Sequence, residues 1–72
     1  MQQYQFVIKA NKRPETLERL LRVIRHRGFE VLSLHAENDG SEITLNVTVQ
    51  SERAVELLFN QLVKLPDVLT IS

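Results

Sequence analysis

Apolar residues fall at Leu17, Leu20, Leu21 and Ile24, with charged or polar residues around them. That spacing is one face of an α-helix, and Gly28 follows where such a helix would stop. The pattern predicts a first helix from Pro14 to Arg27. Pro14 suits the opening position, where a missing N–H costs nothing, and Arg13 before it is biased toward extended backbone. Glu15 and Glu18 lie near the start, and Arg19, Arg22, Arg25 and Arg27 follow, an order that complements the helix dipole. Glu15–Arg19 and Glu18–Arg22 have the i,i+4 spacing of favourable pairs. Gly28 is placed to take the left-handed conformation beyond the helix end.

Elsewhere the period is two. Tyr4, Phe6, Ile8 and Ala10 alternate with Gln5, Val7 and Lys9, which predicts a first strand with one apolar face, ended by Asn11-Lys12-Arg13-Pro14. Phe29 to Ala36 reads as a second strand with poorer alternation. Leu32 and Leu34 fall on one side, and Phe29, Val31, Ser33 and His35 on the other. Asn38-Asp39-Gly40-Ser41 is a turn signal, and Glu42 to Gln50 is a third strand with Ile43, Leu45, Val47 and Val49 inward. Ser51 is a suitable N-cap for a second helix, whose stripe is Ala54, Val55, Leu58, Phe59 and Leu62. Leu65-Pro66-Asp67 ends it before a short strand, Val68 to Ile71. The order β-α-β-β-α-β predicts one α+β domain over residues 1–72. It is a ferredoxin-like sandwich, a four-stranded antiparallel sheet with two helices on one face.

Composition narrows what such a domain can do. With 72 residues and no cysteine, nothing staples the chain internally, so a second chain is a natural source of further burial. Nine basic and nine acidic residues cancel, which removes bulk attraction to nucleic acid or anionic lipid. No apolar run is long enough to cross a bilayer, and the start of the chain lacks a secretory pattern, so a cytoplasmic domain is expected. RNA-binding versions of the fold stack bases on strand aromatics, and the third strand has none. A soft-metal carrier would need thiolates, and Met1 is the lone sulfur. An acylphosphatase-like role for Arg13 and Asn46 would need a Gly-rich cradle that is missing.

Two runs carry a family resemblance. Pro14 through Arg25-His26-Arg27-Gly28-Phe29, and Leu57 through Leu65-Pro66-Asp67-Val68, resemble the ACT-domain small subunits of acetolactate synthase of the isozyme II type. The loop Glu37 to Ser41 carries little of the likeness. The resemblance implies a single ACT domain that pairs side by side with a second copy. It implies a non-catalytic regulatory subunit that binds and activates a large catalytic subunit in branched-chain amino acid biosynthesis. Thiamine diphosphate, magnesium and FAD would belong to that partner, and no cofactor to this chain. Feedback-sensitive relatives usually have a glycine where the first strand gives way to the first helix, and that position is Glu15 here. The vestigial effector site implied is Asn11, Pro14, Glu15 and Thr16. Glu15 adds bulk and negative charge where an effector carboxylate would dock, so weak or absent valine binding is expected.

Some residues have two readings. Arg19, Arg22, Arg25 and His26 form a polar stripe, either a solvated face or a contact surface for the large subunit; a nucleic-acid stripe is a third reading. His35 is a packed or surface histidine, or a ligand without a second ligand at matching spacing. Val31, Leu32, Ser33, Leu34 and His35 form a strand apolar on both faces, either tightly packed or an edge that pairs with a second copy as a homodimer. A stand-alone amino-acid sensor and a small RNA-binding domain remain the rival functions. Neither nucleic acid nor membrane is the expected partner.

Overall fold

Six elements follow one another as β1 (Gln2–Asn11), α1 (Thr16–His26), β2 (Glu30–Asp39), β3 (Glu42–Ser51), α2 (Val55–Leu62) and β4 (Val68–Ile71). This is a computed structural model, and it describes all 72 residues. The strands form one antiparallel sheet in the order β2-β3-β1-β4. β1 and β3 are therefore central and β2 and β4 are edges. Phe6, Ile8 and Ala10 of β1 and Leu45, Val47 and Val49 of β3 are buried in a single core with Leu20 and Ile24 of α1 and Leu58 and Leu62 of α2. Both helices thus cover the same sheet face, as the order of elements predicted. Phe6 and Phe59 meet edge to face with ring centroids 5.1 Å apart, tying α2 to β1.

α1 ends as its sequence demands. Gly28 has φ +87°, its N–H donates to the Arg25 carbonyl, and the Phe29 N–H reaches back to the Ile24 carbonyl. This is a Schellman closure, and its two apolar partners, Ile24 and Phe29, both lie in the core. Leu21, read from the period as part of the buried face, is half-buried and lies outside the core cluster, where Leu17 and Val23 pack instead.

Three expectations give way to tertiary structure. The alternation of β2 shifts at a bulge between Val31 and Ser33, so Val31 pairs with Val49 and Leu34 with Val47, both on the core side. Leu32 is the extra residue and is exposed, so it does not share a face with Leu34. Ser51 does not cap α2. Its hydroxyl donates to the Gly28 carbonyl at 2.8 Å and accepts the Arg53 N–H at 3.0 Å, joining the end of β3 to the end of α1. Ala54, extended and exposed, precedes α2 without a side-chain cap and contributes nothing to its stripe.

Candidate functional site

The segment between β1 and α1 is held by every element around it. The Asn11 N–H donates to the Asp67 carbonyl at 2.8 Å, and the Lys12 N–H to the Ser41 carbonyl at 2.9 Å. The Arg13 N–H donates to Thr16 Oγ1 at 3.2 Å, and that hydroxyl donates to the Asn11 carbonyl at 2.9 Å. The first residue of α1 thus uses its side chain to hold the loop ahead of the helix, while Glu15 at the N-cap makes no side-chain cap bond. Thr16 is only 2% exposed, so its hydroxyl is committed to the loop. Asn11 closes β1 opposite Glu42, while Pro14 and Glu15 form an exposed turn before α1. Of the four residues of the implied effector site, Asn11 and Thr16 are joined by a hydrogen bond, and Pro14 and Glu15 lie in the turn between them. None of the three surface hollows of the chain includes them.

Asp67 dominates the electrostatics of this end. Its carboxylate meets Arg13 Nε at 3.2 Å and Arg19 Nη1 at 3.5 Å, and its side chain is 9% exposed. Arg19 therefore pairs across the fold with the α2–β4 loop rather than with Glu15 along the helix. Sequence patterning gave no signal for Asp67 beyond its place in a helix-ending turn, because its partners are distant in sequence.

The remaining stripe residues divide. Arg22 and His26 line a groove of about 310 Å³ between α1 and α2, with Val23, Arg27, Gln61, Lys64 and Leu65. Arg27 Nη2 donates to Gln61 Oε1 at 3.0 Å across it. Arg25 is exposed and outside the groove. The stripe read from the sequence did not include Arg27 or Lys64, since nothing in a helical period joins the ends of two separate helices. His35 lies on the surface beside Glu37, Nε2 to Oε1 3.2 Å, and no set of three metal-ligating side chains converges anywhere.

β2 has one hydrogen-bonded neighbour, β3, and its other edge is open from Glu30 onward. Val31, Leu32, Ser33, Leu34 and His35 occupy this edge, with Leu32 44% exposed at the bulge.

A family model for the ACT domain matches residues 12–71. The chain is 50% identical to the acetolactate synthase isozyme 2 small subunit of Escherichia coli K12 over 74 aligned positions, covering all of this chain and 85% of that protein. The chain belongs to the family of ACT-domain small subunits of acetolactate synthase. The acetolactate synthase small subunit of Thermotoga maritima superposes with TM-score 0.85 at 16% identity, over the whole of this chain and 47% of that one. The ACT domain of the Chlorobium tepidum GTP pyrophosphokinase superposes with TM-score 0.83 at 14% identity, over 97% of this chain and 94% of that one. At such identities the two structures speak for the fold, while the E. coli relative carries the family. The ACT assignment accounts for the segregation seen here, with helices on one side and an uncovered sheet on the other. The E. coli relative is a small subunit of its synthase.

Proposed function

We propose that this chain is the regulatory small subunit of an acetolactate synthase. It binds the thiamine-diphosphate-dependent large subunit and raises its activity in branched-chain amino acid biosynthesis, with little or no response to valine. The observation that carries this reading is the 50% identity to an isozyme 2 small subunit across the full chain.

The valine part rests on the loop. Thr16 already spends its hydroxyl on Arg13 and Asn11, and Arg13 and Arg19 share the Asp67 carboxylate. Glu15 places a further carboxylate at the helix start, where the dipole would otherwise favour an anionic guest. The open β2 edge, which has β3 as its one hydrogen-bonded neighbour, supports pairing with a second copy in a homodimer.

Adding the purified chain to its large subunit and following acetolactate formation tests the reading. Stimulation that saturates with added chain is expected; its absence would favour a free-standing amino-acid sensor. Calorimetric titration with valine should show no saturable heat, and a tight isotherm would overturn the second half of the proposal. The RNA-binding alternative gains nothing from the fold, since Phe6 and Phe29 are buried and Tyr4 and Phe59 pack against the core. No aromatic is left on the open sheet face to stack a base.

A further inference from the structure

The formal charges of the chain cancel, yet they are not mixed evenly. Arg22, His26, Arg27 and Lys64 converge on the groove between α1 and α2, and no carboxylate lines it. The three ion pairs of the molecule use Arg13, Arg19 and His35, so Arg22, Arg27 and Lys64 have no acidic partner. Acidic side chains collect elsewhere, Glu37, Asp39 and Glu42 around the β2–β3 turn and Glu52 and Glu56 at the start of α2. Val23 and Leu65 form the apolar part of the groove, and Val63, next to Lys64, is 57% exposed. The Gln61 amide oxygen fixes one nitrogen of the Arg27 guanidinium and leaves its other N–H groups free to meet a planar acceptor.

We propose that this groove seats a short acidic segment of the catalytic large subunit, with carboxylates on Arg22, Arg27 and Lys64 and an apolar side chain on Val23 and Leu65. The inference rests on the small-subunit reading above and assigns its docking surface. It differs from the stripe read along α1 alone, because Arg19 is withdrawn by Asp67 and Lys64 enters from beyond α2. Charge complementarity argues for the occupant. A cationic rim around an apolar floor selects carboxylates and steers encounter. The volume is at the lower end of ligand-sized clefts, roughly 300 Å³, which admits a few side chains rather than a folded element. All four basic rim groups are exposed, which suits a chain laid across the groove better than an enclosed metabolite.

The test compares wild type with the double variant Arg22→Glu/Lys64→Glu in binding to the purified large subunit, at low and high salt. Both positions are exposed and unpaired, so the fold should survive, as circular dichroism would verify. Wild-type affinity should fall as salt rises. The double variant should bind roughly tenfold or more weakly, with a flatter salt dependence, as expected where several facing charges are reversed. Arg22→Lys should keep most of the affinity, and Lys9→Glu on the open sheet face should behave as wild type. If the double variant is poorly folded, Lys64→Ala serves in its place, with a smaller loss expected. Unchanged affinity and salt dependence in a folded groove variant overturn the proposal and leave the small-subunit reading standing. Failure of wild type to bind the large subunit overturns both. Binding of duplex DNA or RNA by wild type, lost in the groove variant while large-subunit binding persists, assigns the groove to nucleic acid and overturns it too.

Discussion

Two arginines converge on the Asp67 carboxylate, which is nearly closed off from water. Asp67→Asn keeps the shape and removes the charge. The pairs are intermediate between exposed bridges and buried ones, so a loss of about 1–2 kcal/mol is expected. In a domain of this size each kcal/mol corresponds to roughly 4–8 °C in Tm. A thermal melt that does not move at low ionic strength would contradict the account. Thr16→Val is isosteric but strips partners from the Arg13 N–H and the Asn11 carbonyl. A cost of about 1–3 kcal/mol follows from leaving them unsatisfied, readable as a lower urea midpoint with unchanged slope. Residues of this kind were the least legible from sequence. Gly28 announced itself because one backbone conformation explains it. Asp67 did not, because its meaning comes from Arg13 and Arg19 and exists only once the chain has closed. Ser51 misled for the same reason: local preference made it a cap, while tertiary structure used its hydroxyl to hold Gly28.

Among the elements, β1, β3 and both helices could be read from their periods, because each buries one face and exposes the other. β2 could not, because it is an edge. Its residues are constrained on one side only, and the bulge at Leu32 resets which of them face inward. That same looseness makes β2 the place to test self-association. Leu32→Lys should leave the circular dichroism spectrum unchanged and weaken any dimer seen by sedimentation equilibrium, since a lysine on an open edge opposes strand pairing. A dimer as tight as that of wild type would place the contact elsewhere on the molecule.

For the whole molecule, the limiting quantity is the size of the core. Eleven buried apolar residues must order 72. Small domains bury a modest share of their surface and are correspondingly marginal, so association should contribute visibly to stability. The urea midpoint of the isolated chain should rise with protein concentration, and rise again when the large subunit is present in excess. A midpoint constant across a hundredfold range of concentration would indicate a self-sufficient monomer. The sandwich itself was legible from element order alone, but the groove between the helices was not. It joins Arg22 and His26 to Lys64, residues that share no period.

Three successive amides, those of Asn11, Lys12 and Arg13, donate to three different parts of the chain: the α2–β4 loop, the hairpin turn and the first turn of α1. A connection that position alone would mark as mobile should therefore take up deuterium slowly, at rates closer to strand amides than to turn amides. Any molecule that pries this corner open would have to release all three together, so their exchange rates would report its arrival as one coordinated jump.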